Sequence, residues 1–440
     1  MNEKYLTEEQ ILQMREEYLL PCVMKYFSKP LHIVRGEMQY VYDVDGKRYL
    51  DAFSAVVTIS VGYCHPDVIK KTIEQNQKLQ HITTLYLTES VVKYAKKLHK
   101  KAPPSLKRCF FTNSGTEANE MAAMLAKNYT KSQEFIALQH SFHGRTLMSM
   151  SFTGQSIWRH SLPYVFGVTQ APAAYCYRCP FKTTYPRCGC ACAEYIEDII
   201  KYNTSGRIAG FIHEPIHGFG GVIEPPKEYF KIAYDIIKKY GGINISDEVQ
   251  TGFGRTGRKF FGIENWGVVP DIITMAKGMG NGIPIGGVIA SDEVAEAIRG
   301  KIHFSTYGGN PVSMVQGLEV INVIERYKYQ ENIERLGKFL KSQFKRLMDK
   351  HPIIGDVRGF GFMLGIELVK NRKTKEPAAE ELLFVMELCK DRGLFIGKGA
   401  MAGNVIRIKP PFCITKQDAE FIVNTLDETL KIAEKKYNIK

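Results

Sequence analysis

Residues 243–287 read INISDEVQTGFGRTGRKFFGIENWGVVPDIITMAKGMGNGIPIGG, and two charged residues in this segment follow apolar, strand-like runs. Asp247 comes directly after the run 243–246. Lys277 comes after the run 271–276 and is followed by three closely spaced glycines. A lysine in this position is expected to be partly desolvated, which lowers the pKa of the amine and makes it nucleophilic.

Two interpretations of this pair are open. A nucleophilic lysine and an acid that can hold a pyridinium nitrogen are the protein's part of pyridoxal phosphate chemistry. The other interpretation is a buried ion pair between two strand ends, and Asp247 and Lys277 taken alone favour it.

Strand-like runs alternate with helix-like segments on both sides of this segment. The short strand 108–112 precedes a strong helix former at 118–129, and further strands are expected at 135–138 and 208–213. This alternation predicts a mostly parallel sheet covered by helices, with ligands bound beyond the carboxyl ends of the strands. Further helices are expected at 67–101, at 312–350 with a break near Tyr329, at 378–392 and from Thr415.

The ends of the chain are expected to form a second unit. Residues 1–55 contain an amphipathic helix and a hairpin with its turn at Asp45-Gly46, followed by an apolar, β-branched run at 56–61. Because nothing else near the N-terminus gives residues 1–55 a core, they are expected to pack with a small α/β domain at 316–440. The large domain is then 56–315, with a cysteine-rich insertion at 175–193.

Composition excludes several classes of protein. The chain has 440 residues, 44% of them hydrophobic and 24% charged, and a formal net charge of +13. The lysines are scattered, so anionic small molecules are expected as partners and nucleic acid is not. The sequence has no run approaching eighteen apolar residues, so no membrane span is expected. The N-terminus has the pattern of neither a signal nor a transit peptide, so a cytoplasmic protein with reduced thiols is expected.

Several turns carry residues suited to binding. Ser114-Gly115-Thr116 lies between a strand and a helix, where backbone N–H groups and hydroxyls could cradle a phosphate, although a plain helix cap is the commoner use of this pattern. Phe142 could stack on a planar ring and Arg145 could bind a carboxylate, or they could be a core and a surface residue. Arg407, inside an apolar strand, needs an anion partner or a solvent-facing edge.

Taken together and in order, these motifs resemble the class III pyridoxal-phosphate-dependent aminotransferases, which have the aspartate-aminotransferase fold, also named fold type I. The resemblance spans most of the chain. Its matching segments are 114–119, 142–146, Glu214-Pro215, 247–257, Lys277-Gly278, 306–311, and Arg407 with Pro410-Pro411.

The resemblance implies pyridoxal 5'-phosphate as the cofactor. It implies that Lys277 holds the cofactor as a Schiff base and then shuttles a proton, and that Asp247 keeps the pyridine nitrogen protonated. The other residues that it implies around the cofactor are Ser114, Gly115, Thr116, Phe142, His143, Glu214, Gln250 and, from a neighbouring subunit, Thr306. A homodimer, possibly a tetramer, is therefore expected.

The resemblance also implies a substrate class. Arg145 and Arg407 are expected to hold substrate carboxylates. Ornithine aminotransferases have a tyrosine at the position of Val56. Both ornithine and 4-aminobutyrate aminotransferases have a second glutamate at the position of Phe219. These two differences argue against ornithine. The expected reaction moves an amino group from 4-aminobutyrate, β-alanine or alanine to a 2-oxo acid: 2-oxoglutarate, pyruvate or glyoxylate. The alternative on the same scaffold is an amino-acid racemase or a phospho-lyase.

Five of the ten cysteines fall within seventeen residues. Four of them, Cys176, Cys179, Cys188 and Cys192, have spacing that could suit tetrahedral zinc. The alternative is a packed insertion loop with reduced thiols, which we favour because the fold does not require a metal.

Overall fold

A seven-stranded sheet forms the centre of the larger part of the chain. The computed structural model describes residues 5–160 and 164–439. Its strands are β1 (Ile33–Glu37), β2 (Tyr40–Asp43), β3 (Arg48–Asp51), β4 (Leu106–Thr112), β5 (Phe135–Leu138), β6 (Val168–Ala171), β7 (Gly210–His213), β8 (Ile243–Asp247), β9 (Ile272–Met275), β10 (Gly286–Ser291), β11 (Ile354–Phe360), β12 (Met363–Asn371), β13 (Glu376–Pro377), β14 (Leu394–Phe395), β15 (Gly397–Gly399) and β16 (Val405–Ile408).

Helices occupy the segments between these strands. They are Glu8–Tyr18, Pro66–Lys78, Glu89–His99, Gly115–Thr130, Leu147–Phe152, Ala191–Asn203, Tyr229–Lys239, Asp292–Glu296, Pro311–Arg326, Tyr329–Lys350, Ala379–Asp391 and Lys416–Tyr437. No helix in the described ranges is both long enough and apolar enough to cross a membrane.

The strand order of the large sheet is β4-β10-β9-β8-β7-β5-β6. The pairs from β9 to β6 are parallel, whereas β10 runs antiparallel to both β4 and β9. Every residue of β5, β7, β8 and β9 is buried, as expected for short parallel strands with helices on both faces. The mostly parallel sheet is thus confirmed. Because β8 and β9 are parallel neighbours, Asp247 and Lys277 emerge at the same edge.

Two segments differ from the sequence-based expectation. The helix expected over 67–101 is two helices, Pro66–Lys78 and Glu89–His99, separated by an irregular stretch. The β-branched run 56–61 forms no strand. Instead, Ser54, Ala55, Val56 and Val57 form a left-handed turn, with φ angles of 52°, 46°, 62° and 69°.

The left-handed turn is held by the carboxylate of Asp51. Its Oδ1 accepts the N–H groups of Phe53 at 2.8 Å and Ser54 at 2.9 Å, and its Oδ2 accepts the N–H of Ala55 at 2.8 Å. The hydroxyl of Tyr63 donates to Oδ2 at 2.6 Å. A left-handed conformation costs about 1–2 kcal/mol per residue outside glycine, so these bonds offset a real strain.

The two ends of the chain meet in a second layer. Strands β1, β2 and β3 form a sheet with β14, in which β3 and β14 are parallel. The order of the C-terminal sheet is β11-β12-β16-β15. The amide nitrogen of Gln39 donates to Asp418 at 2.8 Å, which ties the first sheet to the last helix.

Candidate active site

A cavity of about 200 Å³ lies at the carboxyl ends of β8 and β9. It gathers most of the residues that the sequence pointed to. Its lining is Ser114, Gly115, Thr116, Asn119, Phe142, His143, Gly144, Arg145, Glu214, Asp247, Val249, Gln250, Ala276 and Lys277. Residues up to 163 positions apart in the chain therefore share one site, because parallel strands deliver their following turns to the same edge.

The carboxylate of Asp247 is fixed by three donors. Its Oδ2 lies 2.8 Å from Nδ1 of His143 and 2.8 Å from Nδ2 of Asn119, and its Oδ1 accepts the N–H of Val249 at 3.1 Å. Because Oδ2 accepts a hydrogen bond here, the His143 proton is on Nδ1. The side chain is only 3% exposed, so Asp247 presents a rigid, oriented negative group to the cavity.

Lys277 follows β9 in a left-handed conformation, with φ of 47°. Burial lowers the pKa of its amine, and the negative charges of Asp247 and Glu214 oppose that lowering. No carboxylate in residues 5–160 or 164–439 lies within ion-pair distance of Nζ, so the ion-pair interpretation of Asp247 with Lys277 is not supported. A desolvated lysine without a paired carboxylate is suited to act as a nucleophile.

The helix Gly115–Thr130 begins at the cavity wall. Ser114 is its N-cap, and its hydroxyl accepts the N–H of Glu117 at 3.3 Å, so the capping interpretation of this motif is correct. The hydroxyl of Thr116 accepts the N–H groups of Arg145 and Thr146, each at 3.2 Å. The first N–H groups of the helix, at Gly115 and Thr116, have no acceptor within the helix and lie at the cavity wall. The helix dipole favours a phosphate there.

Glycine at position 144 lets the Phe142 turn close on this helix. A Cβ there would come within 2.4 Å of Thr116 Oγ1, and the φ of 137° also favours glycine. The N–H of Phe142 donates to Oε1 of Glu214 at 2.9 Å, and the N–H of Gly218 donates to Oε2 at 2.7 Å. Burial raises the pKa of Glu214, and nearby Asp247 raises it further.

Arg407 lies beside this cavity and not in its lining. Its guanidinium is sandwiched between two rings, 4.6 Å from the centre of Phe53 and 4.6 Å from that of Phe219. The side chain is 2% exposed, and Nη1 reaches only the carbonyl of Gly218, at 3.4 Å. Burial lowers its pKa to about 10. Among the described residues no carboxylate pairs with Arg407, and its Nε has no partner.

Three predicted site residues lie apart from the cofactor cavity or at its mouth. Val56 lines a second, apolar cavity of about 330 Å³, together with Phe53. Arg145 is exposed at the mouth of the first cavity. Thr306 is exposed and lines neither cavity.

Two residues at the site were not predicted from the sequence. Asn119 donates to Asp247 and also, at 2.6 Å, to the carbonyl of His143. Its position one helical turn after Gly115 is a signal that could have found it. Lys409, fully buried, donates to Oε1 of Gln250 at 2.9 Å. No sequence pattern marks it, because its burial depends on distant segments.

The cysteine cluster forms a small separate pocket of about 20 Å³, lined by Cys176, Cys179, Cys188, Cys190 and Cys192. Over the described ranges, no three cysteine, histidine, aspartate or glutamate side chains are placed to hold a metal ion. Burial raises the pKa of Cys192 to about 12. Zinc binding and a packed loop with reduced thiols both stay predictions, and none of the five thiols is in a disulfide.

Comparison with known proteins assigns the family. The model for aminotransferase class-III matches residues 24–430. The chain belongs to the class III aminotransferases. It is 47% identical over 421 residues to alanine–glyoxylate aminotransferase 2 homolog 2, mitochondrial, of Arabidopsis thaliana, covering 96% of this chain and 87% of that protein. It is 38% identical to human alanine–glyoxylate aminotransferase 2, mitochondrial, covering 98% of this chain and 88% of that protein.

Solved structures agree with this assignment. A Bacillus anthracis aminotransferase has a TM-score of 0.90 at 32% identity, covering 97% of this chain and all of that one. An amine transaminase from an uncultivated Pseudomonas species, solved in its pyridoxal-phosphate-bound form, has a TM-score of 0.88 at 26% identity, covering 94% and 99%. This class III aminotransferase is therefore a pyridoxal-phosphate-dependent transaminase of fold type I, which moves an amino group from an amino acid to a 2-oxo acid.

The cavity fits pyridoxal phosphate. The helix amides at Gly115 and Thr116 suit its phosphate, and Oδ1 of Asp247, which accepts one N–H from the described residues, can accept a second from the ring nitrogen. Phe142 provides an apolar face, and the amine of Lys277 is free among the described residues to react with an aldehyde.

Proposed function

We propose that this aminotransferase takes its amino group from alanine or from a short ω-amino acid such as β-alanine or 4-aminobutyrate. The proposed acceptors are glyoxylate and pyruvate, with 2-oxoglutarate as a further acceptor. All of these substrates are small carboxylates, and the observation that carries the proposal is the buried Arg407 without a carboxylate partner.

A buried guanidinium without an anion is unfavourable unless a ligand supplies one. Phe219 stacks on Arg407 and cannot pair with it, whereas a glutamate at this position could. The ring centre of Phe219 also lies 5.9 Å from Nζ of Lys277. A substrate carboxylate bound by Arg407 would therefore place its amino-bearing carbon near Lys277, without first displacing a protein carboxylate.

The size of the substrate follows from what surrounds Arg407. The rings of Phe142, Trp158 and Phe219 pack against one another, with centroid separations of 4.7–5.4 Å, on the side of Lys277. We propose that these large side chains restrict the site to short aliphatic substrates. Arg145, exposed at the cavity mouth, is the residue that we propose for the distal carboxylate of 2-oxoglutarate.

Each residue of the site has a separate proposed role in the reaction. When bound, pyridoxal phosphate supplies a ring that accepts electrons from the substrate carbon and an aldehyde carbon that takes the amino group. Nζ of Lys277 would hold the proton that leaves the substrate carbon. Asp247, oriented by His143 and Asn119, holds the proton on the ring nitrogen. Gln250 is proposed to donate to the phenolic oxygen of the cofactor, and Phe142 is proposed to exclude water from one face of its ring.

We further propose a homodimer as the minimum active form. Thr306 matches the family motif for the phosphate of a neighbouring subunit, and in one chain it is exposed and outside the cavity lining. Nearby apolar side chains are also exposed, including Ile302 at 98% and Tyr307 at 64%. Sedimentation of the purified protein tests the assembly, since a monomer would overturn the proposal. Equilibrium dialysis of the cofactor, with and without Thr306→Ala, tests the contribution of Thr306 to cofactor binding.

We propose that the protein is located in the cytoplasm. The ten unpaired thiols suit a reducing compartment. The two named relatives are described as mitochondrial, and the mitochondrial matrix is the competing location. Imaging of the full-length chain with a C-terminal fluorescent fusion decides between them, since mitochondrial fluorescence would overturn the proposal.

The substrate proposal is tested by half-reactions. Each donor is added singly to the cofactor-loaded enzyme without any oxo acid, and the visible absorption band of the cofactor is followed. Loss of the band with alanine or a short ω-amino acid, and its return with glyoxylate or pyruvate, is the expected result. A band that is lost only with ornithine or only with amines lacking a carboxylate would overturn the proposal.

A further inference from the structure

Lys409 is a second buried lysine behind the wall of the cofactor cavity. It directly follows β16 and is 0% exposed. Its Nζ donates to Oε1 of Gln250 at 2.9 Å and approaches the carbonyl oxygen of Gly218 at 3.4 Å. Within the described ranges no carboxylate lies within ion-pair distance of Nζ. Burying an amine against neutral acceptors alone is costly, so packing does not explain why a lysine occupies this position.

The amine is a donor whichever form it takes. Burial lowers the pKa of Lys409 well below its ordinary value, and the positive charge of Arg407 lowers it further, while Glu214 opposes both. The ammonium form has three N–H groups and the neutral form has two, so either form can donate to Gln250 and Gly218. The contact with the amide oxygen of Gln250 therefore does not depend on the protonation of Lys409.

The contact decides which way the Gln250 amide faces. Gln250 is 5% exposed and lines the cofactor cavity with Lys277. Its Oε1 is occupied by Lys409, while its Nε2 donates to none of the described residues. Gly218 packs against the amide so closely that a Cβ there would lie 2.2 Å from Nε2. The amide is thus held at its oxygen and over one face, which leaves its N–H groups to the cavity.

The backbone at Lys409 is held as firmly as its side chain. Its N–H donates to the carbonyl of Ala52 at 2.8 Å, and its carbonyl accepts from the hydroxyl of Ser54. Ser54 begins the left-handed turn that Asp51 holds. The position from which Nζ reaches Gln250 is therefore set by the fold before any ligand binds.

We infer that Lys409 is a positioning residue, which holds Oε1 of Gln250 so that the Nε2–H groups face the cavity and donate to the phenolic oxygen of the cofactor. The inference rests on the proposed role of Gln250. It adds a residue that touches neither substrate nor cofactor and that acts only through the Gln250 amide.

The test is a double-mutant cycle read on cofactor binding. Lys409→Met keeps the length of the side chain and removes the donor, so the amide is free to rotate. We expect cofactor affinity, measured by equilibrium dialysis of the visible band, to fall about 3- to 10-fold, as for the loss of one hydrogen bond. Gln250→Leu should give a similar loss, and the double variant should lose no more than Gln250→Leu alone. Lys409→Gln, which retains an N–H donor, should recover part of the affinity.

Lys390→Met is the matched control, because Lys390 is also buried but lies on the helix Ala379–Asp391 and bonds Glu387 at 2.7 Å. It should leave cofactor affinity unchanged. Losses that add in the double variant, or unchanged affinity in Lys409→Met, would overturn the inference. Should Lys409→Met not fold, Lys409→Leu, which also removes the donor, and the Gln250→Leu, Lys409→Leu pair give the same cycle. A wild-type protein that binds no cofactor would instead refute the proposed function.

Discussion

The active site has one charged group that the protein itself binds and one that it leaves without an ionic partner. On the cofactor side, formed by Asp247, His143, Asn119 and Lys277, the carboxylate of Asp247 is bonded by three donors. On the substrate side, formed by Arg407 with Phe53 and Phe219, the described residues leave the cation without a carboxylate. A cofactor that stays bound needs a prearranged site, whereas substrates that come and go need a charge that the protein itself does not neutralise.

The largest effect is expected on the cofactor side from Lys277→Ala. Removing Nζ takes away both the nucleophile and the proton carrier, so turnover should fall by about 10⁴-fold or more. Thermal unfolding should change little, because the amine makes no hydrogen bond to the described residues. Lys259→Ala is the control, since Lys259 is exposed in the same segment between β8 and β9. Turnover within tenfold of wild type in Lys277→Ala would remove Lys277 from the reaction.

The next effect is expected from Asp247→Asn. The amide has nearly the same shape but carries no charge, and its nitrogen is a donor that cannot accept from His143 or Asn119. Turnover should fall about 10²- to 10³-fold, a loss typical of one misplaced electrostatic group. The measurement is kcat with saturating donor and acceptor. The exposed Asp235, on the helix Tyr229–Lys239, gives the control Asp235→Asn. Equal kcat for the two variants would contradict the role of Asp247.

The contrast between the two sides is matched by a contrast in what the sequence predicts. Asp247 and Lys277 follow short apolar runs that become the buried strands β8 and β9. Local pattern is sufficient there, because a parallel strand delivers the residue after it to a known edge of the sheet. The turn at Gly115 is predicted for the same reason.

Other features depend on side-chain hydrogen bonds and on contacts between distant segments, which the local hydrophobic pattern does not encode. The β-branched run that includes Val56 favours a strand, yet the carboxylate of Asp51 captures the preceding amides and a left-handed turn forms instead. Lys409 is buried only because residues 52–54 and 218–250 close around it. The antiparallel direction of β10 likewise follows from its pairing with β4, far away in sequence.

A substitution at Phe219 tests the substrate side directly. In Phe219→Glu the new carboxylate should pair with Arg407 and compete with the substrate carboxylate. We expect KM for alanine to rise about tenfold, equal to about 1.4 kcal/mol. A primary amine without a carboxylate provides an internal control, since its KM should not rise for this reason. Phe219→Leu, which removes the ring without adding charge, should raise KM for alanine less. Should both variants raise it equally, stacking and not charge would govern the site.

The smallest effect is expected from Ala55→Gly in the left-handed turn beside Arg407. Glycine adopts φ of 46° without the strain that alanine carries there, about 1–2 kcal/mol, but it loses about 0.5–1 kcal/mol more on folding. The free energy of unfolding should therefore rise by up to about 1.5 kcal/mol, measured by urea denaturation. Ala295→Gly, inside the helix Asp292–Glu296, should instead lower it by about 0.5–1 kcal/mol. Equal destabilisation by both variants would mean that the backbone at Ala55 carries no strain once its N–H donates to Asp51. The substrate side would then be no more strained than the cofactor side.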